Sequence, residues 1–421
     1  MSMFESYSLM IKNNKFIFLI SILFVVVFTH YIFNDNFRHW NISIVFILFF
    51  SYFLIKGEII KPNFYLVAFC CIGFISTTLL NQSLFRLDSV PHNLLSTYKH
   101  IINQYIWFIP FIFLPTIYYK SNFNAECFYR ILFFILFLLT PYLLYWGVML
   151  QFDRGLFSIF FNPVISYDIG FISLTILLLC YSFYLKGKQS YLYLVTSLLC
   201  MFLLILHGTR GAWLGLLFVL GFLVLFYTKT QLKKIILMLG LVVCFIGINM
   251  AIPNSPLLKR VENFQSDSLN IRNNNYQNSS GIRLFLWNNS VEMFKTSPFT
   301  GIGMYEIEAD NCRLYKRGDL PHCFQHMHSI YFHELAANGL IGFIGLLMTF
   351  LTALVFFIKH IFAKNLLIQN LAITGTVFVI YYMCSGLTEY YLFFQNTTYV
   401  FYWVTASLMS FILINKLLKT K

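Results

Sequence analysis

Long apolar blocks alternate with short polar connections along nearly the whole chain, and a single polar interval, residues 253–338, is long. Blocks close to the ~20 residues that a helix needs to cross a hydrocarbon core predict membrane-spanning helices. About twelve are expected, at residues 16–33, 41–56, 63–80, 101–119, 130–150, 164–185, 189–207, 210–227, 235–252, 339–358, 366–386 and 397–415. The expected organisation is all-α and polytopic. Residues 1–252 hold spans one to nine, residues 253–338 form one large periplasmic loop with amphipathic helices, and residues 339–421 hold spans ten to twelve. Lys12 and Lys15 precede a first apolar run with no small-residue cleavage site, which predicts a retained helix rather than a removed signal.

Composition narrows the class. The chain is 59% hydrophobic and 11% charged, whereas a soluble domain carries about 25% charged residues, so a soluble globular protein is excluded. A net charge of +13 raises nucleic acid as a partner, but the distribution of the charge points to membrane orientation instead. Short connections on the side of the N-terminus hold sixteen Lys and Arg, among them Lys61, Lys186, Lys188, Lys233 and Lys234. The opposite side holds five, namely Arg38, Arg86, Lys99, Arg154 and Arg210. The positive-inside rule then predicts cytoplasmic termini and a long loop facing the periplasm from a bacterial inner membrane. Membrane lipids are expected as partners and nucleic acid is not.

Polar groups with chemical potential gather on that outer face. Between spans seven and eight the chain reads His207-Gly208-Thr209-Arg210-Gly211, too short for a loop, so Arg210 is expected at the mouth of a tight turn. Flanking glycines let the backbone turn sharply and let a ligand come close; snorkelling to the headgroups would also place an Arg there, without needing them. In the long loop, Ser279-Ser280-Gly281 offers N-caps for a helix with Leu284, Trp287, Val291 and Phe294 on one stripe, expected to lie on the membrane surface or the bundle. Arg283 falls in its first turn, where the macrodipole disfavours a cation but free backbone N–H groups suit an anion site.

Cys312 and Cys323 are the two of nine cysteines placed outside both membrane and cytoplasm, and an oxidising compartment predicts that they pair. His322, His326, His328 and His333 follow within twelve residues. Their spacing matches no usual zinc pattern, and a general base tuned by its neighbours is the better use. His328 lies at the entry of the tenth span, where Gly339, Gly342 and Gly345 are expected to allow close helix packing. Asp168 is expected near enough to the outer end of the sixth span to be hydrated. Glu389 either orients a histidine or an acceptor sugar, or is an interfacial charge. The interval 81–100, with Arg86, either lines an approach to the site or is a solvated loop.

The twelve-span frame, the Thr209-Arg210-Gly211 turn, Arg283 opening an amphipathic helix, and His328-Ser329-Ile330-Tyr331 leading to Asn338-Gly339-Leu340-Ile341-Gly342 resemble the O-antigen ligase and polymerase superfamily. Length and loop placement look most like the lipopolysaccharide O-antigen ligases of enteric bacteria. The resemblance implies a glycosyltransferase that moves a glycan from undecaprenyl diphosphate to a lipid A-core oligosaccharide. It gives Arg210 and Arg283 the donor diphosphate and His328 the catalytic role. Glu389 stands where relatives use an aspartate near the last outer loop, Ser329 stands where many have Asn, and His326 or Tyr331 is left to assist the acceptor.

The chemistry fits these residue types. Two arginines can neutralise a leaving diphosphate through bidentate, charge-assisted hydrogen bonds, so neither a metal nor another cofactor is expected. Direct displacement by an acceptor hydroxyl inverts the anomeric centre. A polymerase of the same superfamily would use the same donor with a lipid-linked glycan as acceptor. A polytopic transporter fits less well, because the sequence has no evident internal repeat and few ionisable groups within its spans.

Overall fold

The structure, a computed structural model, describes residues 60–420 except 85, 121, 154–155, 157–163 and 274–275. The first two expected spans, with Lys12, Lys15, Arg38 and Lys56, lie outside the described residues, as does Arg154. All regular elements among the described residues are helical. In chain order they are α1 (Phe64–Ser83), α2 (His92–Tyr119), α3 (Ala125–Met149), α4 (Val164–Tyr184), α5 (Lys188–Ile205), α6 (Arg210–Ala251), α7 (Pro256–Arg272), α8 (Ser279–Thr296), α9 (Met304–Lys316), α10 (Ile330–Ile358), α11 (Leu366–Ser385) and α12 (Gln395–Thr420), with short 3₁₀ turns besides. Nine of these, all but α7, α8 and α9, are long and apolar enough to cross a membrane.

Two departures from the expected spans have local causes. The 42-residue α6 covers the expected eighth and ninth spans as one element, broken at Gln231 (φ −137°, ψ 38°) inside the polar run Thr228–Lys234. α2 begins at His92 rather than near residue 101, because Tyr98, Ile101 and Ile102 give its first turns a buried side; Pro110 then sits in a 3₁₀ stretch, Gln104–Phe113.

α4 and α11 form the interior of the bundle. α4 packs on α5, α11 and α12, and α11 packs on α6 and α10. Gly215 of α6 lies against Tyr381 and Ser385 of α11 so closely that a side chain there would collide with both. Basic residues close the end of the bundle away from Arg210. Lys234 donates to the carbonyls of Ser182 and Leu185, each at 2.8 Å, and Lys359 donates to the Tyr65 hydroxyl. A second, smaller core lies at the other end, where Leu286 and Met293 of α8, Met304 and Ile307 of α9, and Leu320 and Met327 meet Tyr98 and Ile101 of α2 and Ala336 of α10. The long loop is therefore built onto the bundle through α2 and α10.

One joint fixes the two cores to each other. α10 is interrupted at Gly339 (φ 61°, ψ −155°), and the segment Ser297–Gly303 enters the gap. Ile302 and Gly303 donate to the carbonyls of Ala336 and Ala337, each at 2.9 Å, while Leu340 and Ile341 donate to those of Pro298 and Phe299 at 2.8 and 3.1 Å. Backbone groups freed by the break are thus paired again, as a helix interrupted where it is buried requires. The expectation of three packing glycines is corrected here. Gly339 is the break itself, with the Phe299 backbone where a Cβ would stand, and only Gly345 receives a neighbouring span, through Ser76 of α1. Arg86 completes the joint by donating to the carbonyls of Ala337 (2.9 Å), Thr300 (2.6 Å) and Gly301 (2.7 Å). Of the two readings of its loop, neither anticipated this: Arg86 is a structural clamp.

Candidate active site

Arg210 is the first residue of α6, after Gly208 in the left-handed region (φ 77°). The turn is held from beneath by Asp168, which is buried and not hydrated as expected. His207 Nδ1 donates to one Asp168 oxygen at 2.8 Å and the Thr209 hydroxyl donates to the other at 2.5 Å. The sequence buries this acid because it is fully engaged by the residues on either side of Gly208, which aims Arg210 outward. Its Nη1 donates to Asp267 Oδ2 of α7 at 3.0 Å and reaches Ser280 Oγ at 3.5 Å.

α8 is capped by Asn278, whose side chain accepts from the Gly281 N–H at 2.8 Å, one residue earlier than the Ser and Gly positions suggested. Arg283 consequently lies one turn inside the helix. Its buried side is also rotated from the expected stripe: Leu286, Ser290 and Met293 face inward, while Leu284 is 38% exposed. The hydroxyl of Ser290 donates to the Phe332 carbonyl, and Trp287 donates to the Met327 carbonyl while stacking on Phe332. Those bonds orient α8 so that Arg283 reaches back over Ser279 and across to the α11–α12 connection. Its Nη1 donates to Ser279 Oγ at 2.9 Å and its Nη2 to Glu389 Oε1 at 2.8 Å.

Glu389 joins the rest. It is almost fully buried, its Oε1 accepts from Arg283, and its Oε2 lies 3.8 Å from Nδ1 of His328. Gly211 brings Thr388 and Glu389 against the start of α6, closing the ring from Arg210 to Glu389. His328 sits in the left-handed region (φ 50°), uncommon for a residue with a side chain. The two residues after it hold the strain: Ser329 and the Ile330 N–H both donate to the Gly386 carbonyl, at 3.3 and 2.9 Å. Ser329 therefore anchors this stretch of backbone rather than presenting a side chain to the site.

The other expected residues fall beside this centre. The His326 ring lies 4.5 Å from that of His328, and its Nδ1 accepts from the His328 N–H at 3.3 Å. Its ring keeps a partly exposed edge but is packed among Tyr390, Phe393 and Phe394. Burial, followed by the neighbouring His328, His333 and Arg283, holds its pKa well below the ordinary histidine value. Tyr331 turns away and donates to the Met383 carbonyl at 2.8 Å. Cys312 and Cys323 are bonded to each other, with Cα atoms 4.4 Å apart, and tie α9 to the run that carries the histidines. The arrangement can accept a proton at His328 and offers two guanidinium groups to an anion. Asp267, Ser280 and the Asp168 brace were not legible beforehand, since nothing in the local pattern of α7 marks one buried acid among its polar residues.

Comparison with known proteins adds three findings. The O-antigen ligase family model matches residues 192–347, a stretch that contains Arg210, Arg283 and His328 and stops short of Glu389. An uncharacterized protein of Haemophilus influenzae is 27% identical over 241 residues, 56% of this chain and 60% of the relative. An O-antigen ligase of Escherichia coli K12 is 26% identical over 310 residues, 70% of this chain and 71% of the relative.

Proposed function

We propose that the chain, whose residues 192–347 match the O-antigen ligase family model, is a member of the O-antigen ligase superfamily and transfers an undecaprenyl diphosphate-linked O-antigen glycan to lipid A-core oligosaccharide at the periplasmic face of the inner membrane. The observation that carries the proposal is the convergence of Arg210, Arg283, Glu389 and His328, drawn from α6, α8, the α11–α12 connection and the entry of α10, around the first turn of α8.

In this reading His328 removes the proton from the acceptor hydroxyl as its oxygen bonds to the anomeric carbon of the donor. The bond from that carbon to the diphosphate breaks, its electron pair leaves on the phosphate oxygen, and the anomeric centre inverts. Arg210 and Arg283 stabilise the charge that develops on the leaving group, the kind of fixed electrostatic stabilisation that outweighs most other catalytic contributions. Glu389 holds Arg283 and faces His328, so it positions both. Help from a placed general base is worth roughly 10²–10⁴ in rate.

The test is a lipopolysaccharide gel from cells lacking the protein, complemented with wild type or His328→Ala, beside an assay of lipid-linked glycan. Bare core with long glycan accumulating on the carrier, unrescued by His328→Ala, is the expected result. Core bearing a single repeat unit would instead make the protein the polymerase.

A further inference from the structure

Both arginines of the proposed clamp are already neutralised by carboxylates of the chain, and the two carboxylates are held very differently. Glu389 belongs to a connection whose next two residues, Tyr390 and Tyr391, are fully buried. Asp267 belongs to α7, a helix of 17 residues whose only buried members are Leu257 near its start and Asp267 itself. Phe264 and Leu269, on either side of Asp267, are 59% and 60% exposed. The C-terminal half of α7 is thus fastened chiefly through Asp267, which accepts from Arg210 Nη1 at 3.0 Å and from Ser280 Oγ at 2.8 Å. Phe264 adds a weaker hold, its ring centroid 5.9 Å from Arg210 Cζ.

Resting on the diphosphate-clamp reading above, we propose that Asp267 is a built-in occupant of the donor's phosphate position, and that the incoming diphosphate displaces it and releases α7. A carboxylate bonded to an arginine and a serine hydroxyl uses the donors that a phosphate oxygen would use. Two anions sharing those donors within a few ångströms repel each other, and the less firmly held one moves. In the absence of donor, Asp267 neutralises Arg210 at a turn that also carries Arg260, packed over Gly208. Once donor arrives, the same carboxylate competes with it. Asp267 is therefore a positioning residue that sets donor affinity and couples it to the movement of α7.

Inorganic pyrophosphate is a suitable probe, used with the purified full-length protein in lipid nanodiscs. Asp267→Asn keeps the shape and removes the charge, and it is expected to bind pyrophosphate on the order of 3–10-fold more tightly than wild type, the range set by loss of one competing, partly exposed ion pair. In glycan transfer the same variant is expected to lower KM for the donor, whereas a side chain needed only for folding would not tighten binding. Hydrogen exchange on the wild-type chain needs no substitution: amides of residues 264–272 are expected to exchange faster when pyrophosphate is added. Unchanged or weaker pyrophosphate binding by Asp267→Asn, or unchanged exchange in α7, would overturn the inference. If Arg210→Ala and Arg283→Ala still weaken binding in that case, the clamp reading survives alone. If neither arginine affects pyrophosphate binding in wild type, the clamp reading falls and takes this inference with it.

Discussion

Arg283 and Glu389 stand 106 positions apart in the chain and 2.8 Å apart in space. The pair joins α8 to the connection between α11 and α12, and both side chains are largely withdrawn from water. Breaking such a pair leaves one uncompensated charge, with a penalty that scales with burial. Glu389→Ala is expected to lower the stability of purified protein by about 2 kcal/mol, reduced from the fully buried figure because Arg283 keeps some exposure. Thermal unfolding in detergent reads this directly. A melting temperature equal to wild type would remove the pair from the account of the site.

His328→Ala is expected to reduce glycan transfer by roughly 10²–10⁴-fold while leaving the folded yield unchanged. Arg283→Ala is expected to fail as well, through loss of the leaving-group contact. Full ligation by Arg283→Ala at normal protein level would sink the clamp assignment.

The depressed pKa of His326 has a consequence for stability against pH. A histidine held below its unfolded value stays neutral in the folded protein while the unfolded chain takes up protons as pH falls through about 6.5. The unfolded state is then the one that binds more protons, so this contribution is intact above that pH and is lost progressively below it. Melting temperature should fall between pH 7.5 and pH 5, and His326→Phe should flatten that slope. A slope unaffected by the substitution would place the loss elsewhere.

Arg86→Ala removes three charge-assisted hydrogen bonds to carbonyls at the α10 break. A loss on the order of 2 kcal/mol is expected, since the Thr300 and Gly301 carbonyls lose a charged donor while the Ala337 carbonyl keeps the Gly303 N–H. Arg86→Lys should recover little, because an ammonium cannot span three acceptors as a planar fork does. Comparison of the three proteins by thermal unfolding tests the geometry as well as the charge.

Much of the frame was legible because membrane spans announce themselves by length and apolarity, a signal that needs no tertiary context. Arg210 and Arg283 stood out for a related reason, an arginine between glycines or in a helix's first turn being at odds with local preference, although α8 starts early enough to leave Arg283 one turn inside the helix. What the sequence withheld is pairing at a distance. Asp267 looks like an ordinary loop acid until α7 is brought to Arg210, and Glu389, readable as orienting a histidine or as an interfacial charge, gave no sign of its pairing with Arg283. Asp168 was misread as hydrated because its partners, His207 and Thr209, lie on a different helix connection. The phase of α8 was misjudged because Ser290 and Trp287 are fixed by backbone carbonyls of residues 327–332, and hydroxyl and indole bonds of that kind have no periodicity to detect.

The joint at Gly339 is made from main-chain groups, and every amino acid except proline carries the same ones. Phe299, 70% exposed, can therefore be exchanged without touching the bonds that cross the gap. Gly301, Gly303 and Gly339 cannot, since each has positive φ, and at Gly301 and Gly339 backbone also stands where a side chain would begin. The contact that aligns α8 and α9 with the membrane frame is in this sense written in three letters, and most of the rest of the segment is left open to drift.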